Sequence, residues 1–418
     1  MNAFASPATD VAALRAQFPI FAKAPPPFHY LDSAATGQIC RPAADALLRF
    51  ETEARANVKR GVYRLADAAS AAFQHAREQV AAYIGASEAD EVVFTSGTTL
   101  AINTAAYGLA RRLRPGDEIL LSELEHHANI VPWQLASEGT GAVVRALPVT
   151  DEGRIDLDRL GEFVTERTRI IALSHLSNVT GTVTDVGRVV GAARSVAAPD
   201  AGGPVVLIDG SQRAAHGPVD VQALGCDLYT LSSHKMFGPT GAGVLWGRKE
   251  ILADMPPFLG GGEMIRRVGI ERSTYALPPH RFEAGTPPIG PAIGMGAAAA
   301  WLLTLDWEAV AEHESRLTKR LLDGLASLDG VRVVGPTDLC HRLGVVSLDV
   351  DGVHPHDVCQ LLDSAHGVSL RGGHHCAQPL MERFGLDATA RASVALYHDQ
   401  ADINALIAGL GATIRQLR

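Results

Sequence analysis

The sequence predicts an α/β protein, with a large domain on a mostly parallel seven-stranded sheet and a smaller α+β C-terminal domain. Three observations carry this expectation. Short β-rich runs alternate with helical stretches through much of residues 90–250. Several runs are continuously apolar, as strands covered on both faces are. After a stretch rich in Gly and Pro at 255–291, mixed strand and helix patterns take over.

The strand-like runs are Glu91–Thr95, Glu118–Ser122, Val143–Leu147, Arg169–Ser174, Val205–Asp209, Leu228–Ser232 and Gly243–Trp246. Helical stretches such as Thr99–Leu113 lie between them and imply parallel pairing. Residues 198–204 form a loop of small residues, and 255–291 read as loops and a hinge. Gly296–Leu303 opens a long helix. Leu343–Val350 then reads as a strand, Pro355–Ser364 as a helix, Val368–Arg371 as a short strand and Asp402–Arg415 as a terminal helix. The expected division is an N-terminal segment 1–24 packing with the small domain, a large domain 25–291 and a small domain 292–418.

Composition narrows the function. The chain has 418 residues, 47% of them hydrophobic, enough to bury a substantial core. Its formal net charge of -9 is dispersed, and no basic stripe interleaved with aromatics marks a nucleic-acid partner. No long apolar segment looks membrane-spanning, and the first residues lack the features of a secretory signal. Cys40, Cys226, Cys340, Cys359 and Cys376 are odd in number and far apart, which argues against a disulfide framework and for a reducing cytoplasm.

The chemistry gathers at strand ends, where ligands bind on parallel sheets. An apolar run ends at Leu231, and Ser232, His234 and Lys235 follow at once. Another run ends on Asp209. A Schiff-base lysine with an aspartate for a pyridinium nitrogen is the minimum equipment for pyridoxal phosphate chemistry. Thr95-Ser96-Gly97-Thr98-Thr99 closes a strand and opens a helix, an arrangement that offers backbone amides and hydroxyls to a phosphate. Ser232 and His234 add donors. One imidazole of the His126–His127 pair suits a position flat against a pyridine ring. Asn178 and Gln212 are placed to reach a phenolic oxygen. Cys376 follows Arg371-Gly372-Gly373-His374-His375, and its neighbouring histidines and Arg371 favour a thiolate, the reactive form. The plain alternative for Cys376 is a buried small hydrophobe. A metal site from His374, His375 and Cys376, with His354 or His356, is a weaker reading, because adjacent ligands cannot close a tetrahedron. Arg391 offers a fork for a substrate carboxylate.

Together these segments resemble the class V aminotransferase-like enzymes of fold-type I, and within them the group II, SUF-type cysteine desulfurases and selenocysteine lyases. The resemblance runs from Tyr30-Leu31-Asp32-Ser33-Ala34-Ala35 to Arg391-Ala392-Ser393. Its strongest elements are residues 125–133 (EHHANIVPW), 232–241 (SSHKMFGPTG), 281–287 (RFEAGTP) and 371–379 (RGGHHCAQP). It implies pyridoxal 5'-phosphate bonded to Lys235, with Asp209 on the ring nitrogen and His126 stacked on the ring. Gln212 and Asn178 would complete the ring contacts. Gly97, Thr98, Thr99, Ser232 and His234 would hold the phosphate.

The same resemblance implies that Thr286 reaches the partner subunit's cofactor in a homodimer, and that residues 260–281 are a hairpin near the partner's site. Arg391, Arg371 and Asn178 would bind substrate. The implied reaction converts L-cysteine to L-alanine and leaves a persulfide on Cys376 for a sulfur-acceptor protein, feeding iron–sulfur cluster or other sulfur-cofactor synthesis. The alternatives are a selenocysteine lyase, a non-catalytic assembly partner, and a hydrolase built on Cys376 and His375. Three positions depart from the family pattern: Ser96, the stretch 59–63 with Tyr63, and Pro288.

Overall fold

The computed structural model describes residues 10–59, 61–196 and 203–418. The first nine residues and most of the expected small-residue loop at 198–204 lie outside this range. So does Arg60, within one of the departing stretches.

Seven strands form the large sheet: β1 (Val92–Thr95), β2 (Glu118–Ser122), β3 (Val143–Leu147), β4 (Thr168–Ser174), β5 (Val205–Asp209), β6 (Leu228–Ser232) and β7 (Gly243–Gly247). Their order is β1-β7-β6-β5-β4-β2-β3. Four neighbouring pairs are parallel, and β7 runs antiparallel to both β6 and β1. The seven runs read from the sequence thus become one sheet, with ends shifted by a residue at most. Every residue of β1, β5, β6 and β7 is buried, as expected for apolar strands with helices on both faces.

A second, four-stranded antiparallel sheet carries the C-terminal part. The order is β10-β11-β13-β12, where β8 (Ile265–Val268) and β9 (Ser273–Tyr275) form the separate hairpin that precedes it. The four are β10 (Val331–Val334), β11 (Val345–Val350), β12 (Arg371–Gly373) and β13 (Thr389–Ser393). Leu321, Leu348, Val358, Ile403 and Leu410 belong to a core of its own on this sheet. Helices Pro355–His366 and Gln400–Leu417 supply several of these residues.

Several element boundaries differ from expectation. Within the Gly-Pro stretch the expected hairpin forms, with strands at 265–268 and 273–275, but a helix starts at Ile289, seven residues before the expected Gly296, and ends at Leu302. A second helix, Trp307–Ala326, follows separately. Gly290, Gly294 and Gly296 misled the reading because they permit close packing. A Cβ on Gly294 would lie 2.5 Å from Pro239, and one on Gly296 2.6 Å from Ala76. The expected division at 291/292 therefore falls inside a helix that packs on helices Arg41–Glu53 and Arg64–Tyr83. The expected strand Val368–Arg371 is two strands, Val368–Ser369 and β12, and β12 takes in Gly372 and Gly373 ahead of Cys376.

Near the N-terminus, Arg15 donates to Tyr397 O (2.9 Å) and Asp402 Oδ2 (2.7 Å), and Phe18 packs edge-on against Tyr397 and Phe237. Among the described residues no single helix is long and apolar enough to cross a membrane.

Candidate active site

The carboxyl ends of β1, β4, β5 and β6 open into a cavity of about 210 Å³. Its wall includes Thr98, Thr99, His126, Asn178, Asp209, Gln212, Ser232, His234, Lys235, Arg371 and Arg391. Eleven sequence-predicted residues from both sheets therefore converge. Three others do not line it. Gly97 caps the helix Thr98–Ala110 behind Thr98, at φ 155°. Thr286 lies in a separate cleft with Glu51, Arg55 and Asn57. Cys376 adjoins His375, which does line the cavity, and is itself partly exposed.

At the helix N-terminus, Thr98 N donates to Ser232 Oγ (2.9 Å), and Ser232 Oγ lies 3.0 Å from Thr98 Oγ1. Free amides and hydroxyls there make an anion cup. The chain can pass so close because Gly243 has no side chain; a Cβ would sit 2.4 Å from Gly97 Cα.

Asp209 ends β5. Its Oδ1 accepts from Ser211 N (2.9 Å) and Ser211 Oγ (2.6 Å), and Ser211 Oγ lies 2.7 Å from Thr98 Oγ1. Hydroxyls thus link the carboxylate to the anion cup. Lys235 closes a single 3-10 turn, Ser233–Lys235, straight after β6. Its packed surroundings push the ammonium below the ordinary lysine range, with Asp209 pulling the other way. His234 is pushed down to about 4, by burial and then by Lys235.

His126 Nδ1 accepts from Ala128 N (3.0 Å), which leaves the ring proton on Nε2. Burial, reinforced by Lys235, pushes its pKa down to about 3, so the ring is neutral throughout the physiological range. Glu125, fully buried, fixes the loop from behind. It accepts from Ser122 Oγ (2.6 Å), Ser174 Oγ (2.6 Å), Ser174 N (3.1 Å) and Asn129 Nδ2 (2.7 Å). Burial pushes this carboxyl up to about 7, against those hydrogen bonds.

The small sheet supplies two guanidiniums. Arg371 on β12 and Arg391 on β13 are direct cross-strand partners, so both face the cavity side by side. Like charges placed opposite each other repel. Arg391 is steadied by Asp32 Oδ1 (3.0 Å) and by Asn178 O (3.0 Å), while its buried Nε has no partner. A carboxylate is the natural complement of such a pair. Asn178 Nδ2 donates to His375 O (2.7 Å), and Gln212 Nε2 to Ala34 O (2.8 Å).

The Cys376 loop differs from expectation in one respect. His375 is buried, its Nε2 meets Thr389 Oγ1 at 2.8 Å, and burial, then Arg391, pushes its pKa down to about 2. It is a neutral ring and supplies no positive charge to a neighbouring thiolate; Arg391, which the sequence reading did not assign to this task, interacts electrostatically with Cys376. Among the described residues no three His, Cys, Asp or Glu side chains converge to hold a metal ion.

Sequence reasoning missed Ser211, Asp32, Ser174 and the anchoring role of Glu125. Ser211 had a signal, because a hydroxyl two residues after a strand-ending Asp commonly bonds back to it. Asp32 had none, since 359 residues separate it from Arg391.

The donor set fits pyridoxal phosphate. It offers an anion cup, a carboxylate for a protonated ring nitrogen, a neutral imidazole for the ring face and a lysine of lowered basicity for the aldehyde carbon. The class V aminotransferase family matches residues 29–406. A probable cysteine desulfurase of Streptomyces coelicolor is 44% identical over 96% of this chain and 96% of its own. A cysteine desulfurase of Dickeya dadantii is 43% identical over 95% of both chains. The crystal structure of an Escherichia coli cysteine desulfurase in its S-sulfonic acid form superposes with a TM-score of 0.89, at 39% identity and with 100% of both chains covered. A match across both sheets and every segment of the cavity leaves one assignment: this chain belongs to the class V aminotransferase family, in its cysteine desulfurase branch.

Proposed function

We propose that this protein is a pyridoxal 5'-phosphate-dependent L-cysteine desulfurase that passes sulfur through a persulfide on Cys376. One observation carries the reading: a single cavity joins Lys235, Asp209 and His126 from the large sheet to Arg371, Arg391 and the Cys376 loop from the small one. When bound, the cofactor supplies an electron sink for the substrate's α-carbon. Thr98, Thr99, Ser232, His234 and the amides after Gly97 would hold its phosphate. Asp209 would take the ring nitrogen, Gln212 and Asn178 the phenolic oxygen, and Lys235 the aldehyde carbon.

The protein's own groups then account for the reaction. Arg391 and Arg371 clamp the L-cysteine carboxylate and orient the amino acid. Lys235 Nζ, of lowered basicity, removes the proton from Cα. The Cys376 thiolate attacks the substrate sulfur, so an S–S bond forms as the Cβ–S bond breaks. The electron pair passes to Cβ, which takes a proton from His126 Nε2 while the substrate's thiol proton replaces it on the ring, and Lys235 Nζ returns its proton to Cα. L-Alanine leaves and Cys376 holds the persulfide. A nucleophile beside the cavity rather than within its wall suits sulfur that has to move on.

A SUF-type sulfur-acceptor protein is the natural recipient. The homodimer rests on two supports: Thr286 lies outside its own chain's cavity, and the hairpin and the residues just after it expose the apolar side chains of Val268, Ile270 and Leu277. All five cysteines are free, in keeping with a cytoplasmic setting. The test is direct. Protein purified with pyridoxal phosphate is expected to be yellow and to release alanine from L-cysteine. A colourless protein without alanine release overturns the reading, and faster turnover of selenocysteine than of cysteine moves it to a selenocysteine lyase.

A further inference from the structure

We propose that His127, the second histidine of the 126–127 pair, is the positioning residue that docks the Cys376 loop beside the cavity. Its backbone N–H donates to Cys376 O at 2.7 Å. Its side-chain Nε2 accepts from Gln378 N at 3.1 Å. One residue of the large domain thus grips the small domain at the cysteine itself and two residues beyond it. Asn178 Nδ2 adds a third hold through His375 O, and His374 Nδ1 accepts from Cys376 N at 3.0 Å within the loop itself.

The grip has something to hold. His375 and Cys376 are non-glycine residues in the left-handed region, at φ 53° and 56°. Side chains at such angles are strained, and the conformation persists only where surrounding contacts enforce it. The segment is fixed upstream by β12 and downstream by buried Ala377, Leu380 and Met381. Between those anchors, residues 375 and 376 meet the large domain through hydrogen bonds to their carbonyls, in a place where His374 and Gln378 are exposed. Hydrogen bonds that water can replace make a reversible contact. Reversibility is what the sulfur-transfer reading requires, because sulfur taken up beside the cavity has to be carried to an acceptor outside it; the purpose assigned to His127 rests on that reading.

The ring has to be neutral to accept at Nε2. Burial, then the His374 imidazole 5.5 Å away, keeps His127 below the usual histidine range; His126, 6.3 Å away on the same loop, is neutral.

The test uses two variants that keep the bulk of the ring. His127→Phe removes the acceptor, and His127→Gln keeps one at a similar reach. Hydrogen exchange of the holoenzyme, read by mass spectrometry on peptides covering 371–380, and alkylation of Cys376 by iodoacetamide report docking without turnover. His127→Phe is expected to speed both by roughly fivefold to tenfold, the effect of one lost hydrogen bond, while His127→Gln stays near wild type. Equal rates in all three proteins, or equal acceleration in both variants, would overturn the proposal. Mapping transferred sulfur onto a cysteine other than Cys376 would instead overturn the nucleophile assignment and leave the docking result standing.

Discussion

Glu283→Ala is expected to destabilise the protein by about 3–5 kcal/mol, the cost of leaving a buried charge without its partner. Glu283 has no exposed side-chain area, and neither has Arg77. The carboxylate accepts from Arg77 Nη1 (2.7 Å) and Nη2 (3.1 Å), Lys59 Nζ (3.2 Å) and Phe94 N (3.0 Å). Without it, Arg77 keeps Val92 O (2.6 Å) and a contact with Gln74, too little to satisfy a desolvated guanidinium. Phe94 lies on β1, just ahead of the phosphate cup, so cofactor affinity should fall with stability. Burial alone would raise the Glu283 carboxyl, but Arg77, a hydrogen bond from His280 and Lys59 reverse this and hold it well below the usual range. A lowered folded-state pKa adds stability that is fully present above the unfolded value, about 4.3, and lost as pH falls through the folded one. Urea unfolding of wild type, Glu283→Ala, Glu283→Gln and the Arg77→Met/Glu283→Gln pair provides the assay. The wild-type advantage over Glu283→Gln should be constant from pH 8 to 5 and narrow only in stronger acid. The double variant should recover part of the loss, because no buried charge is then unpaired. An Ala variant within about 1 kcal/mol of wild type, far below the cost of a broken buried pair, or a gap already closing between pH 7 and 5, would refute the reasoning.

Asp209→Asn is expected to keep the fold and lose turnover by orders of magnitude, since an amide cannot stabilise a protonated pyridine as a carboxylate does; near-normal turnover with bound cofactor contradicts this. Ser211→Ala removes a 2.6 Å hydrogen bond to that carboxylate. Cofactor affinity, followed by fluorescence during dialysis, should fall by roughly tenfold, within the range for a bond to a charged group; an unchanged dissociation constant argues against a link between the cup and Asp209. Thr286→Ala should be rescued in mixed dimers whose other subunit carries Lys235→Ala, because each active site would draw on both chains. A fully active monomer in sedimentation rules that out.

Much of the site was legible because apolar runs end on it. Asp209 and the Ser232–Lys235 segment lie where β5 and β6 stop, and Thr98 where a helix begins, so strand patterning alone placed them on one edge. Contacts between distant segments left no local trace. Asp32 meets Arg391 across 359 residues and Arg77 meets Glu283 across 206. The helix Ile289–Leu302 was obscured because it is buried on nearly all sides, so its sequence lacks the polar face that marks helical period. The neutrality of His375 depends on packing by both domains, which no neighbour in sequence announces.

Sulfur mapping on Cys376 tests the central claim most directly. After a pulse of L-cysteine, the holoenzyme is digested under non-reducing conditions and the added sulfur is located by mass spectrometry. One extra sulfur is expected on the peptide containing Cys376, with Cys40, Cys226, Cys340 and Cys359 unlabelled. Cys376→Ser should stay yellow and still change its absorption on binding L-cysteine, yet carry no label and deliver no sulfur. Label on another cysteine, or sulfur delivery by the Ser variant at the wild-type rate, would contradict the persulfide mechanism.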